Sequence, residues 1–170
     1  MMSIRFAEYK DIETLVQIDQ NAYGQYGASF HYFEEKLSAS HTCVLVVEEN
    51  EKVTGFTVVE FLNADDLPRN FTDFYPAEKL LGPWMHIIAF TTESNYIDKK
   101  EDTRLVQAVE EVSKARGCVS SCVPLTKNHP FEKNGVFEFW GSNGYSLSGE
   151  ISWMVNDHEK LECFFYKKDL

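Results

Sequence analysis

The sequence predicts one domain of the α/β (α+β) class, in which helices flank a mixed, mostly antiparallel sheet. Short runs rich in β-branched and aromatic residues, bounded by turn residues, predict the strands. Segments whose apolar residues recur at three- and four-residue spacing predict the helices. The resulting order, β-α-α-β-β-β-α-β-α-β-β, does not alternate strands with helices. This disfavours a doubly wound parallel sheet and favours hairpins with one parallel crossover.

The first half of the chain begins with a strand and two helices and continues into a hairpin. Asp11 is the expected N-cap of the first helix, because an acceptor side chain there satisfies an unpaired backbone N–H. The second helix places Phe30, Phe33 and Leu37 on one side. The predicted segments are a strand over residues 3–9, helices over 12–21 and 29–39, and strands over 43–48 and 53–62.

Residues 63–83 are the irregular part of the sequence, and we treat them as an insertion. They contain three prolines and several acidic residues among aromatic ones. A connection this long inside a domain is uncommon unless it is functional or partly helical. One or two helical turns are expected over residues 77–81.

A strand-turn-helix unit is the centre of the predicted fold. Residues 84–92 are apolar, β-branched and aromatic, which predicts a buried strand. The helix is expected over 103–116, where the apolar residues share one face, and Gly117 ends it. A strand that turns into a helix points the unpaired N–H groups of the helix at the turn. Residues 93–102 are therefore a candidate anion site.

The last third of the chain predicts one more strand, one helix and a closing hairpin. The pair Asn143-Gly144 is expected to end the helix, because glycine readily takes the positive φ of a helix C-terminus. The predicted segments are a strand over 118–125, a helix over 131–142, and strands over 145–155 and 161–167 joined across 156–160.

The composition limits the classes of partner. A formal charge of −11 over 170 residues argues against nucleic acid, whose phosphates would be repelled, and would attract a cationic small molecule or a basic segment. The alternative is that the charge serves solubility. The start of the sequence lacks the apolar segment of a signal peptide, and no apolar run approaches the ~20 residues of a membrane span. A single domain over residues 1–170, without membrane association and in the cytoplasm, is the expectation.

The four cysteines lie in or beside predicted strands. They form neither a Cys-x-x-Cys pair nor metal-ligand spacing with a histidine pair. Buried, reduced thiols are therefore expected, and no metal site is predicted.

Three motifs resemble the GNAT superfamily of acyl-CoA N-acyltransferases, and the resemblance covers essentially the whole chain. Residues 4–12 look like the first strand and helix entry of that family. Residues 96–105 align without a gap to its Tyr-Arg-Gly-Lys-Gly-Ile-Gly-Ser-Arg-Leu pattern. Residues 139–145 look like its Phe-Tyr-Glu-Lys-Leu-Gly-Phe.

The resemblance implies acetyl-CoA as the acyl donor, with its pyrophosphate held by the turn before the central helix. The family's glycines at this turn let the backbone approach the phosphates, but here Asp98, Lys100 and Asp102 stand in those positions. The alternative is that these acids cap the helix themselves and no phosphate binds. The positions implied to contact the cofactor are Phe90, Thr92, Ile97, Asp98, Lys99, Lys100, Asp102, Thr103, Asn134 and Trp140.

Within that set, two kinds of contact are expected. The backbone near Phe90 and Thr92 would pair with the extended acyl-CoA arm, where two parallel strands splay apart. Asn134 lies one position from the family's cofactor-holding asparagine, although Asn134-Gly135 is also typical of a turn or a helix break.

The catalytic assignments follow from the same resemblance. Trp140 stands where the family often has a tyrosine acid, and because indole has no dissociable proton, Tyr145 is the candidate acid. Tyr23 and Tyr26 are alternatives. His86 is the candidate general base, since its unperturbed pKa suits that role. The alternative is a structural histidine on an apolar strand.

Two hypotheses about function follow. The first is an N-acyltransferase that transfers an acetyl group from acetyl-CoA to a small-molecule or peptide amine. The second is a catalytically inactive GNAT-like module that binds a different ligand or a protein partner. Residues 63–83 would lie beside the acceptor cleft, as a lid over a cationic amine or as a subunit contact, which leaves a homodimer open.

Overall fold

The computed structural model describes residues 1–76, 80–156 and 158–170, and within them one sheet of eight strands and four α-helices. The strands are β1 (Met2–Phe6), β2 (Thr42–Glu49), β3 (Lys52–Leu62), β4 (Phe71–Pro76), β5 (Trp84–Thr92), β6 (Ser120–Thr126), β7 (Ser146–Asn156) and β8 (Glu159–Asp169). The α-helices are α1 (Ile12–Tyr23), α2 (Phe30–Ser38), α3 (Lys99–Ala115) and α4 (Val136–Ser142).

The strands follow the order β1-β2-β3-β5-β6-β8-β7-β4 across the sheet. The pair β5–β6 is parallel, and the other neighbouring strands are antiparallel. The parallel pair is joined through α3, which is the expected single crossover. The predicted fold class, a mixed and mostly antiparallel sheet flanked by helices, is confirmed.

Helices α1 and α2 pack on one face of the sheet, against apolar residues of β2 and β3. Ser29 caps α2, where its Oγ accepts a hydrogen bond from the backbone N–H of Tyr32 at 3.2 Å. Asp11 precedes α1 as predicted, but it does not cap the helix with its side chain, which makes no hydrogen bond to the start of α1. The Asp11 carboxylate instead accepts two hydrogen bonds from the Arg5 guanidinium, at 2.8 and 3.0 Å. This ion pair ties β1 to the entry of α1.

Helices α3 and α4 pack on the opposite face, in a cluster that includes apolar residues of β2, β3 and β5. Helix α3 begins at Lys99 rather than at the predicted residue 103. The earlier start follows from the cap at Asp98, which extends the helix beyond its apolar stripe. Gly117 follows the helix with a φ of 87°, as its position after α3 predicts.

Strand β4 is the main departure from the predicted organisation. Residues 63–83 were expected to be irregular, but β4 pairs antiparallel with β7 and places Phe71 opposite Trp153. Phe71 joins Trp84 and Phe165 in a third buried cluster, which holds β4 near the start of β5. The helical turn expected over 77–81 includes residues 77–79, which lie outside the described residues.

Three further features bear on chemistry. All four cysteines are buried and free. Among the described residues, no group of three or more His, Cys, Asp or Glu side chains could hold a metal ion. No helix in the described ranges is long and apolar enough to span a membrane.

Candidate active site

A wedge opens between β5 and β6. The two strands pair in parallel only at the start of β5, and the pairing ends at His86 and Cys122. A β-bulge at Ile88 follows directly on β5, while β6 continues against β8. Along residues 87–92, the β5 edge that faces β6 therefore has no partner strand among the described elements. Its backbone groups are free to bind an extended ligand.

The mouth of the wedge is bridged by the loops that follow β5 and β6. Asn134 Nδ2 donates a hydrogen bond to the carbonyl oxygen of Asn95 at 2.9 Å. The rings of Tyr96, His129 and Phe131 lie against one another, with centroids 5.7 to 6.3 Å apart. Tyr96 has a φ of 70°, which an aromatic residue adopts only where its packing holds it. These contacts join the two loops to each other across the mouth of the wedge.

The side chains of the predicted cofactor residues on this strand point into the protein. Phe90 packs on Trp140, with ring centroids 5.1 Å apart, and both rings are buried. Thr92 Oγ1 donates a hydrogen bond to Asp102 Oδ1 at 2.7 Å. A ligand in the wedge would therefore meet the backbone of β5 rather than these side chains.

The N-terminus of α3 is capped by its own acids. Asp98 Oδ1 accepts from the backbone N–H groups of Lys100 at 3.2 Å and Glu101 at 3.5 Å. Asp102 is fully buried in the first turn and also accepts from Ser94 Oγ, at 3.0 Å. The amides that would cradle a phosphate in the predicted anion site therefore already have a carboxylate acceptor.

Burial and neighbouring negative charge raise the pKa values of two acids in this turn, Glu101 and Asp102. Burial raises the pKa of Asp102 to about 6, against the hydrogen bonds from Thr92 and Ser94 that act to lower it. Burial also raises the pKa of Glu101, whose Oε1 accepts from Thr54 Oγ1 at 2.8 Å. An anion at this helix end would add to a site where negative charge is already disfavoured.

The other predicted residues of the turn lie nearer the surface. Ile97 is 75% exposed, Lys99 and Lys100 are exposed, and Thr103 is half-buried. Lys99 Nζ lies 3.2 Å from the position that a β-carbon on Gly135 would occupy, so the end of its side chain lies at the start of α4. The lysines carry positive charge beside the acids and offset part of their repulsion for an anion.

His86 lies at the other end of β5, on the face that α1 and α2 cover. Its side chain is fully buried, and its Nδ1 lies 2.8 Å from Glu60 Oε1. Its Nε2 has no hydrogen-bond partner among the described residues. The rings of Phe71, Trp84 and Trp153 surround it, with centroids 4.9 to 6.2 Å away.

The pKa values of both members of this pair lie below their usual values. Burial lowers the pKa of His86, and this outweighs the hydrogen bond that His86 donates to Glu60, which acts to raise it. Burial acts to raise the pKa of Glu60, but the hydrogen bond that its carboxylate accepts from His86 opposes this, and the pKa lies below its usual value. A lowered pKa keeps the imidazole neutral and the carboxylate ionised at neutral pH, so the pair is a neutral His86 beside an ionised Glu60.

Tyr145 lies in a different polar cluster. Its hydroxyl donates to Glu110 Oε2 at 2.8 Å and lies 2.7 Å from Ser121 Oγ, while Lys168 Nζ donates to Glu110 Oε1 at 2.9 Å. Burial raises the pKa of Tyr145 well above its usual value. Its apolar neighbours belong to the α3 face, whereas His86 lies on the α1 face.

Comparison with known proteins decides the fold. No family model matches the sequence, and no curated protein sequence matches it significantly. Solved structures do match. An acetyltransferase of the GNAT family from Streptococcus pneumoniae superposes with a TM-score of 0.67 at 12% identity, covering 100% of both chains. The chain has the GNAT fold.

Two further GNAT-fold structures extend the comparison. NAA60 of Arabidopsis thaliana, in complex with a bisubstrate analogue, has a TM-score of 0.76 at 11% identity and covers 99% of this chain and 98% of its own. PaiA N-acetyltransferase from Thermoplasma acidophilum, in complex with coenzyme A, has a TM-score of 0.62 at 16% identity. The match covers 100% of this chain and 99% of the PaiA chain. At these identities the likeness concerns the fold.

Within the GNAT fold, the predicted residues fall into four separate places. Phe90, Thr92, Asn134 and Trp140 lie at the wedge. The residues from Ile97 to Thr103 lie at the adjacent N-terminus of α3. The structure does not bring His86 and Tyr145 together, since they lie on opposite faces of the sheet.

Sequence reasoning missed Glu60, which contacts His86. The signal was available, because Phe56, Val58 and Glu60 alternate along β3 and so share one face. A carboxylate on the buried face of a strand requires a partner. A histidine on a neighbouring strand was the nearest candidate.

Proposed function

We propose that this protein is an acyl-CoA-dependent N-acyltransferase that transfers the acetyl group of acetyl-CoA to an amine on a small molecule or peptide. The observation that carries the proposal is the open β5 edge beyond the Ile88 bulge, where backbone groups can pair with an extended ligand whatever the side chains are. A protein of the same fold has been solved with coenzyme A. The net charge of −11 favours the approach of a cationic acceptor.

Acetyl-CoA supplies an acyl group activated as a thioester. Backbone N–H groups of β5 that face the wedge would donate hydrogen bonds to the thioester carbonyl oxygen, in the manner of an oxyanion hole. His86 Nε2 would accept the proton of the attacking amine, since it is a base without a partner. We assign Tyr145 a structural role, because its hydroxyl is bound to Glu110.

The α3 N-terminus does not fit a pyrophosphate with its side chains in these positions, because the Asp98 carboxylate occupies the backbone amides. The proposal therefore places the main cofactor contact on the strand backbone and expects weak binding. This same observation favours the second candidate function, a non-catalytic GNAT-like module that binds another ligand or a protein partner.

Calorimetric titration of the purified protein with acetyl-CoA is the first test, followed by a turnover assay with a panel of small-molecule and peptide amines. We expect acetyl-CoA to bind with a Kd above the low micromolar range. We also expect it to be consumed only when an amine is present. Desulfo-CoA, which lacks the thiol but keeps the pyrophosphate and most of the arm, is the matched control ligand for binding without chemistry.

The outcomes separate the two candidates. Amine-dependent release of CoA supports the transferase. Binding without turnover on any amine, or no binding at all, rejects the transferase and leaves the non-catalytic module. Low-micromolar or tighter binding by the unaltered protein would show that the acids of the α3 turn do not impede the pyrophosphate.

A further inference from the structure

Glu60 and His86 form a pair whose two members differ in exposure. They stand directly opposite each other on β3 and β5, with Glu60 Oε1 and His86 Nδ1 2.8 Å apart. The His86 side chain is fully buried, whereas the Glu60 side chain remains 13% exposed. The pair therefore runs from a fully buried imidazole to a carboxylate that solvent can partly reach.

The chemistry of the pair fixes the proton on one ring nitrogen. An ionised carboxylate only accepts hydrogen bonds, so His86 Nδ1 carries the hydrogen that points at Glu60. The lone pair of a neutral imidazole then lies on Nε2. The other charged groups that act on the pair are Lys36, which affects both members, and His41, which affects Glu60. Neither makes a described hydrogen bond to the imidazole.

A purely structural histidine in the interior normally has hydrogen bonds at both ring nitrogens. Here Nε2 is buried and has no partner in the described part of the chain. Its surroundings are the rings of Phe71, Trp84 and Trp153. An unpaired acceptor inside an aromatic enclosure is the arrangement expected of a group whose partner is a ligand proton.

We propose that Glu60 is a positioning residue, which holds His86 as the Nδ1–H tautomer so that Nε2 is the atom that takes the acceptor's proton. This inference rests on the proposed transferase function. The amine nitrogen forms its bond to the acyl carbon, the bond from that carbon to sulfur breaks, and the nitrogen's proton passes to Nε2. The imidazolium is stabilised by Glu60, and solvent protonates the departing thiolate.

The same geometry sets a condition on access. Because the His86 side chain is fully buried, an amine reaches Nε2 only when one of the surrounding rings moves. Phe71 belongs to β4 at the edge of the sheet, and among the described strands β4 pairs with β7 alone. Its ring is therefore the one that the fold can displace with the fewest broken strand contacts.

Long-range 1H–15N correlation NMR on histidine-labelled protein tests the tautomer without any assay of activity. The histidine signal that is absent from the spectrum of His86→Gln is the signal of His86. We expect a neutral Nδ1–H imidazole at pH 7 in the unaltered protein. In Glu60→Gln, the amide can donate as well as accept, so we expect a shift toward the Nε2–H tautomer. Glu35→Gln, an exposed change on α2, removes the same charge and should leave the His86 signal unchanged.

Kinetics then test the consequence. Glu60→Gln should lower kcat by about 10- to 100-fold with little change in KM for the amine, which is less than the ~10²–10⁴-fold loss expected without the base itself. A wild-type Nε2–H tautomer overturns the role of Glu60 whether or not turnover is found. An unchanged kcat and pH profile in an active Glu60→Gln enzyme also overturns it. Absence of turnover in the unaltered protein overturns the proposed function, which the tautomer measurement does not depend on.

Discussion

The wedge and the N-terminus of α3 adjoin each other, yet they differ in how they depend on sequence. The wedge results from where strand pairing ends and where β5 bulges, and it leaves backbone groups of β5 without a partner among the described strands. The α3 N-terminus depends on which side chains surround its amides, and here Asp98 occupies them. A divergent sequence can keep the first kind of site while it loses the second.

This difference follows from what each feature requires. A wedge between strands needs only apolar residues that keep each strand in its register, and many residues meet that need. A phosphate cradle needs small residues and free N–H groups at fixed positions, and a single carboxylate can occupy it. Four predictions, from the largest expected effect to the smallest, test how far the two regions differ.

The largest effect is expected on the strand, at His86. If this strand carries the chemistry, His86→Gln should lower kcat by ~10²–10⁴-fold, because the side chain keeps its approximate size but loses its basicity. Steady-state kinetics with acetyl-CoA and the best amine measure the change. His31→Gln, an exposed change on α2, is the control. Turnover that survives His86→Gln would move the general base elsewhere.

The second effect is expected at the α3 N-terminus, and it concerns stability. The folded pKa of Asp102 is raised by burial to about 6, against an ordinary value of about 3.9. Its stabilising contribution is therefore present below about pH 4 and is lost as pH rises through about 6. Asp102→Asn should raise the free energy of unfolding by about 2 kcal/mol at pH 7.5 and by much less at pH 4.

Denaturant unfolding at the two pH values measures this change. Asn can still accept from Thr92 through its Oδ1, so the hydrogen bond at the turn is retained. Glu111→Gln on the exposed face near the end of α3 is the matched control. If Asp102→Asn raises the free energy of unfolding equally at both pH values, the buried charge of Asp102 is not the cause of the increase.

The third effect concerns the cofactor. Asp98→Gly combined with Asp102→Asn removes two negative charges and frees the α3 amides, so acetyl-CoA should bind about tenfold more tightly or better. Calorimetry compares the variant with the unaltered protein and with Glu111→Gln. Desulfo-CoA should gain equally, because the gain arises at the pyrophosphate. An unchanged affinity would place the pyrophosphate away from this turn.

The fold was largely predictable from sequence, for reasons that particular elements make clear. The bounds of β5 match the predicted 84–92, because its whole length is buried or half-buried and rich in apolar, aromatic and β-branched residues. The β7–β8 hairpin was predicted from its turn. Strand β4 was missed, because its short run lies among prolines and acids and its partner β7 is distant in sequence.

The site was less predictable, because it depends on distances between strands. The departure at the α3 turn is visible from the residues that replace glycine, and acids at a helix start are themselves typical of a cap. The pairing of Glu60 with His86 needed the β3–β5 register, which period-two patterns do not specify. To predict that Tyr145 is separated from His86, one would have to know how α4 packs beside α3, because Tyr145 follows α4 closely.

The smallest effect separates the two roles of Asp98. Its hydrogen bonds to the Lys100 and Glu101 amides are long, at 3.2 and 3.5 Å, so Asp98→Ala should lower the free energy of unfolding by only about 0.5–1 kcal/mol. Asp98→Gly should lower it by a few tenths, because glycine is tolerated at an N-cap. Both variants remove the carboxylate, so both should gain affinity for acetyl-CoA by a similar factor while they differ in stability. Thermal unfolding and calorimetry on the pair therefore decide whether the cap and the anion compete for the same amides. A variant that loses the cap without any gain in affinity would show that they do not.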